Sequence, residues 1–285
     1  MTVATAPRSA VRDGFSLAAE ARTAGVVWRR ELIRFTRQRA RIVSGLVQPV
    51  LFLFVLGVGL TPLVGETGGV DFTQFMLPGV VAMSVITTAI FSGASVVWDR
   101  EFGFLREMLV APVSRAALVV GKAAGGATVA TLQGAAMLLL APFVGVRLTP
   151  LLVLQVLAVS LLMSFALTAF GVFVASRIQR MESFQVVMQL LLFPMIFLSG
   201  AMFPLTGLPA WLAALTRINP LTYAVDPLRR LVFAAQDVPP EALARFGTGV
   251  TLFGVRLPVI TELVVVAAFA LLFLTLSVRA FGRPE

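Results

Sequence analysis

Six continuous apolar runs limit the folds open to this chain. Ile42–Leu60, Met76–Val97, Ala116–Val146, Leu151–Ala175, Phe184–Phe203 and Pro258–Val278 each approach or exceed the ~20 residues that a helix needs to cross a hydrocarbon core of ~30 Å. A membrane β-barrel would alternate polar and apolar residues over ~10-residue segments, and these runs do not alternate. Their ends carry helix breakers at Thr61-Pro62, Leu77-Pro78, Thr149-Pro150 and Leu257-Pro258. The third run is long enough to tilt or protrude. The expected fold is an all-α polytopic membrane protein with six transmembrane helices, and the transmembrane domain covers residues 42–285.

Composition then removes whole classes of function. The chain is 58% hydrophobic and 13% charged, whereas a soluble domain averages about 25% charged residues. With no Cys and no His, it cannot build disulfides, thiolate nucleophiles, common zinc sites or His-based catalytic arrangements. No metal or cofactor site is expected. Its net charge of +9 suits the anionic surface of a membrane rather than nucleic acid.

The cations set an orientation. With the amino terminus inside, the inner segments carry 17 of the 23 Lys and Arg, and 8 of the 14 acids. The whole excess charge thus lies on one side, and the positive-inside rule places both termini in the cytoplasm. Residues 1–23 lack the apolar core of a secretory signal and read as a mobile cytoplasmic tail. Residues 24–41 form an amphipathic stretch. Trp28, Leu32 and Phe35 share one helical face, with Arg30, Arg34, Arg37 and Arg41 roughly opposite. The expectation is a helix in the inner interface with its arginines on lipid phosphates, or a plain positive-inside anchor.

Two connections are richer than linkers. Between the second and third runs, Phe104, Leu105, Met108 and Leu109 would form one apolar stripe on a short cytoplasmic helix, which must be buried against lipid headgroups or a partner protein. Between the fifth and sixth runs lie 54 residues, Pro204–Leu257. Leu208–Thr216 and Leu221–Ala235 are apolar but too short to cross, and so read as re-entrant or interfacial pieces. Asn219 before Pro220 reads as an N-cap that starts the second piece. A short hairpin is expected at Val250–Arg256.

These two segments also carry a family resemblance. Glu101-Phe102-Gly103-Phe104-Leu105-Arg106, with Ala111-Pro112-Val113-Ser114-Arg115 and Gly121-Lys122, resembles the E-x-G-T-L-E…SP-[VI]-S-R…GK stretch of ABC-2 type exporter permeases. Phe203-Pro204-Leu205, Leu208-Pro209-Ala210-Trp211-Leu212 and Asn219-Pro220-Leu221-Thr222-Tyr223-Ala224-Val225-Asp226 with Arg229 resemble their FP-L-x₂-LP-x-WL…NPLTY-x-VD-x-x-R segment. This second match is the more specific, and it is closest to the daunorubicin-resistance and nodulation-type branch. Phe104 stands where the family more often has Thr, and Arg106 where Glu is common. The resemblance implies a permease subunit in the bacterial plasma membrane, paired with a second permease copy or a paralogue. It implies a separate cytoplasmic ATPase in two copies, which binds ATP and Mg. Glu101, Gly103, Phe104, Leu105, Arg106, Met108 and Leu109 would couple to that ATPase. Trp211, Asn219, Pro220, Tyr223, Asp226 and Arg229 would belong to the outer gate.

The chain carries no nucleotide site of its own. Its one Lys-based candidate, Gly121-Lys122, has Ala at 116 and 123, where a Walker A needs Gly and then Ser or Thr. Few polar residues enter the runs. Gln185 and Gln189 share a face with Leu192 and Ile196 and read either as interhelical glue or as a strip on the transport path. Glu262 falls near the outer interface, within reach of water. Gly121/Gly125 and Ala130/Gly134 allow close helix approach, to a helix of the same chain or of a second copy. The 23 Phe and 10 Met would give adaptable walls for a lipophilic cargo, or simply face lipid. The functional expectation is export of a lipophilic drug, natural product or lipid. A permease for a lipid-linked glycan is the alternative, and a membrane-embedded enzyme or a passive channel fits less well.

Overall fold

A computed structural model describes residues 17–64, 72–104, 108, 113–205, 207–236, 238, 249–252 and 255–281. The helices in chain order are α1 (Leu17–Arg37), α2 (Arg39–Leu51), a π-helical stretch Phe52–Val58, α3 (Gly59–Val64), α4 (Phe72–Ser92), α5 (Ala94–Glu101), α6 (Arg115–Leu138), α7 (Pro150–Arg177), α8 (Met181–Leu198), α9 (Ala210–Ile218), α10 (Thr222–Ala234) and α11 (Val259–Phe281). A two-residue hairpin pairs β1 (Thr251–Leu252) with β2 (Val255–Arg256) in antiparallel register, within the expected Val250–Arg256 stretch.

Local chemistry sets several boundaries. Ser114 caps α6 by accepting from the Ala117 N–H at 3.1 Å, and Thr149 caps α7 by accepting from Leu152 at 3.2 Å, with Pro150 at the first helical position. Pro49 lies inside α2, and the π-helical stretch begins three residues later. Wide turns of this kind are frequent at functional sites. The expected tail over residues 1–23 lies outside the described residues up to 16; α1 starts at Leu17, ahead of the expected 24–41 stretch.

Among the described residues, five helical segments are long and apolar enough to cross a membrane: Arg39–Pro62, Phe72–Glu101, Pro150–Arg177, Met181–Leu198 and Val259–Phe281. The third expected run differs. Instead of one helix over Ala116–Val146, α6 ends at Leu138, a 3₁₀ turn follows at Ala141–Val144, and Gly145 closes it with φ +78°. Gly and Ala, with Lys122 and Gln133, make α6 less apolar than those five segments. It nonetheless packs closely against α1, α4 and α7. The glycine pattern explains why. A Cβ on Gly121 would sit 2.7 Å from the Ala24 carbonyl oxygen of α1, one on Gly125 2.7 Å from the Glu31 Cβ, and one on Gly134 2.5 Å from Val85 of α4. The helix that approaches Gly121 and Gly125 therefore belongs to the same chain. The segment Phe72–Glu101 runs through the centre of the bundle, and most of its residues are buried.

Candidate functional site

At one end of the bundle α1, α5 and α6 bring charges together around a buried pair. Asp99, near the end of α5, is the hub. Its Oδ2 accepts from Lys122 Nζ at 2.6 Å and from Arg30 Nη2 at 2.6 Å, and its Oδ1 from Arg34 Nη2 at 3.2 Å. Lys122 uses its two other protons on Glu31 Oε1 at 3.2 Å and Ser95 Oγ at 3.1 Å. The Asp99 and Lys122 side chains are each 1% exposed. An ion pair this deep persists only with its remaining hydrogen bonds filled, and for Lys122 all three are. Burial acts against the Arg30 charge, yet Asp99 and Glu31 together hold its pKa above the ordinary value. Arg34 also stacks over the Trp98 ring at 5.8 Å. Arg30 Nη2 and Arg34 Nη2 thus turn inward to a carboxylate of the chain, a correction to the expectation that these arginines face outward onto lipid phosphates alone.

The neighbouring loop continues from this hub. Arg100 donates to the carbonyls of Ala175, Ser176 and Ile178 and so closes the end of α7. Glu101 accepts from the Met181 N–H at 2.8 Å, at the start of α8. Both residues pin the turn between α7 and α8. Gly103 has φ +80°, a backbone that favours glycine, and Phe102 and Phe104 are exposed. Met108 is half-buried, its sulfur 3.5 Å from Arg30 Nη1. Leu105, Arg106 and Leu109 of the expected stripe lie outside the described residues.

A cavity of about 290 Å³ lies between α2 with its π-helical stretch, α4 and α8, open along α8, where Gln189, Phe193 and Phe197 are exposed. Phe52, Phe91, Phe193, Phe197, Met83 and Met202 make its walls, and Gln48 and Gln189 are its amides. Leu192 and Ile196 line it as well. Gln185, one turn away, does not, although both glutamines are exposed on α8. The cavity has the apolar walls and sparse polar groups of a small-molecule site.

The opposite end is tied by α10. Asn219 donates to the Met195 carbonyl at 2.6 Å and accepts from the Leu221 N–H at 3.1 Å. Thr222 donates to the Leu198 and Thr216 carbonyls, and the Tyr223 hydroxyl to Arg217 O at 2.7 Å. Asn219 ends α9, and α10 starts at Thr222. That corrects the reading of Asn219 as the N-cap of α10: its amide bridges to α8 instead. Pro220 is half-buried, and Trp211 is exposed on α9. Arg229 is buried against the Phe75 ring at 4.2 Å, and donates to the Gly200 carbonyl in the turn after α8. Burial draws its guanidinium down to about 10, with Asp226 opposing. Arg230 pairs with Asp226 Oδ2 at 2.6 Å and Glu262 Oε1 at 2.9 Å, and donates to Leu257 O at 2.9 Å. Glu262 is fully buried, which corrects its expected place within reach of water.

Sequence reasoning missed the hub at Asp99. Lys122 was legible as a cation at the edge of an apolar run, but nothing in a linear pattern pairs it with a residue 23 positions earlier. The usable signal was the cost of an unpaired Lys beside Gly121 and Gly125, which demands a carboxylate on whatever helix those glycines admit.

The chain is similar along most of its length to known membrane proteins. A model of the family described as "ABC-2 type transporter" matches residues 23–233. Nodulation protein J of Rhizobium leguminosarum bv. viciae is 32% identical over 208 residues, 71% of this chain and 79% of that protein. Its counterpart in Sinorhizobium fredii is 32% identical over 229 residues, 79% and 83% of the two chains. The inner membrane transport permease YadH of Escherichia coli K12 is 29% identical over 219 residues, 75% and 84%.

Proposed function

The chain belongs to the ABC-2 type transporter family, and we propose that it is the membrane subunit of an ATP-driven exporter of a lipophilic drug, natural product or lipid. The cavity between α2, α4 and α8 is the observation that carries this reading. Four Phe and two Met suit an apolar cargo of varied shape, and two amides suffice to orient it. The lipid-linked glycan alternative wants Trp or Tyr platforms and many hydrogen-bonding groups, and no Trp or Tyr is among the described residues that line this cavity.

Energy comes from a separate ATPase in this proposal, bound in two copies and holding ATP and Mg. The permease chain pairs with a second copy or a paralogue. All six apolar runs cross the bacterial plasma membrane, a location that the inner-membrane relative YadH supports. At about 1.5 Å per residue, the 24 residues of α6 are long enough to do so. Both termini are cytoplasmic, which puts Asp99, Phe102 and Met108 on the ATPase side. Motion pressed there reaches α1 and α6 through Asp99, and α7 and α8 through Arg100 and Glu101. The α9–α10 pair closes the outer end.

Everted membrane vesicles test the proposal. Vesicles carrying the chain and its ATPase should accumulate a lipophilic fluorescent amine when ATP is added. Those lacking either subunit should not. Uptake that persists without the ATPase would mark a carrier or channel. ATP-driven movement of a lipid-linked glycan, with none of the amine, would favour the alternative.

A further inference from the structure

A second, smaller cavity of about 30 Å³ lies where α1 meets α2, α4, α5 and α6, room for one small group or a pair of waters. Its lining is mixed: Arg34, Gln38, Arg41, Ser92, Ser95 and the Glu31 carboxylate face it, with Phe35, Val129 and the Trp98 ring among its apolar walls. The charges around it do not balance. Arg30, Arg34, Arg41 and Lys122 meet only two carboxylates among the described residues, Glu31 and Asp99. Those two are already engaged, Asp99 by three cations and Glu31 by two. Arg41 pairs with no carboxylate in this set. It donates to Phe91 O at 2.8 Å and to Gln38 Oε1 at 3.4 Å. Arg34 Nη1 is buried with no hydrogen-bond partner among the described residues. Ser95 accepts from Lys122, so its own hydroxyl proton remains to be donated.

Excess guanidinium charge in a partly dry place calls for a counter-anion, and two arginines on one cavity are the donor set that suits phosphate oxygens. The depth agrees. Gln38 is the break between α1 and α2, with φ −96° and ψ 60°, the point where the chain turns from an interfacial helix into its first span. In the topology proposed above, that point lies among the headgroups of the inner leaflet. We propose that this cavity binds a phosphate group, either that of a phospholipid or free phosphate, held by Arg34 and Arg41 with Ser95 and Gln38 beside them. The bound anion completes the charge of the Asp99 hub and fastens α1 and the start of α2 to α5. This site is separate from the cargo cavity.

The test uses the full chain, delipidated in a sugar-headgroup detergent, with thermal unfolding and native mass spectrometry as readouts. Three probes are added: sodium phosphate against sodium chloride of equal ionic strength, phosphatidylglycerol vesicles, and vesicles of a phosphate-free galactolipid. Stabilisation by phosphatidylglycerol alone, with one lipid retained per chain, assigns the lipid; stabilisation by sodium phosphate over chloride assigns free phosphate. In either case Arg34→Gln and Arg41→Gln should each raise the concentration needed by at least about tenfold, the loss of one charge-assisted contact. Arg29→Gln, on the exposed face of α1, should leave it unchanged. Arg41→Lys, which keeps the charge, covers the event that Arg41→Gln does not fold, and should bind with intermediate strength. Three results overturn the proposal: no response of the wild type to either phosphate source, an equal response to the galactolipid, or equal responses in wild type and the Arg34 and Arg41 variants.

Discussion

The two ends of the bundle solve the same problem with opposite charges. At the α1–α5–α6 end the hub is an acid, Asp99, and three bases converge on it. At the α10–α11 end the hub is a base, Arg230, between two acids and a carbonyl. The first joins three helices and leaves positive charge over. The second joins two helices and is balanced by Asp226 and Glu262, while Arg229 rests on the Phe75 ring. The two ends therefore tolerate movement differently. A hub shared by three helices resists the loss of any one of them, so it suits a part that must move as a rigid block. A clamp between two helices has a single pair of bonds to release, which suits a part that opens.

Removing each hub in turn separates the two behaviours. Asp99→Asn should have the largest effect, because it leaves Lys122, Arg30 and Arg34 gathered about one remaining carboxylate. Removing one partner of a buried pair costs about 3–5 kcal/mol. The thermal midpoint of the detergent-solubilised chain should fall accordingly, and little assembled complex should survive. A stable, active Asp99→Asn protein would show that the hub is incidental. Arg230→Met should come next. It strands Glu262, but Asp226 keeps the Gly249 N–H at 2.8 Å, so a loss of about 1–3 kcal/mol is expected. Its functional mark should be a leak of cargo across vesicles without ATP, larger than the drop in assembled protein. Proportionate losses of protein and transport would reduce the clamp to scaffolding.

Much of this was open to a linear reading, for reasons that lie in particular residues. The apolar runs, the Thr149-Pro150 start of α7 and the hairpin after Val250 are local, and local chemistry decides them. The end of α6 was not legible. Leu138, Leu139 and Leu140 continue the apolar run without a pause, and the stretch stays apolar to Val146 apart from Pro142 and Gly145. Hydropathy alone therefore hides the turn that those two residues impose. The Asp99 hub was hidden for a different reason. Its members come from three stretches of sequence, and only the packing of Gly121 and Gly125 against α1 brings them together. Asn219 shows a third kind of limit. An Asn before a Pro reads as a cap in one dimension, and the bond to Met195 exists only because α8 lies alongside.

Asn219→Ala is the smallest of these breaks. It removes one bond to α8 and one local bond to Leu221, a loss of about 1–2 kcal/mol. Assembly should be nearly normal, and the rate of export should change more than the amount of protein. Equal changes in both would make Asn219 a structural tie alone.

In the proposed function, cargo passes through the cavity bounded by α2, α4 and α8, and the absence of native Cys makes a direct test available. Gln189→Cys places a thiol on the cavity wall, and Leu272→Cys places one on the exposed face of α11. Each variant is made in vesicles that carry the ATPase, treated with a bulky maleimide, and assayed for ATP-driven uptake of the fluorescent amine. Labelling at 189 should abolish uptake, with cargo added beforehand protecting the thiol, while labelling at 272 should leave uptake intact. Full transport by a completely labelled Gln189→Cys chain would rule this route out.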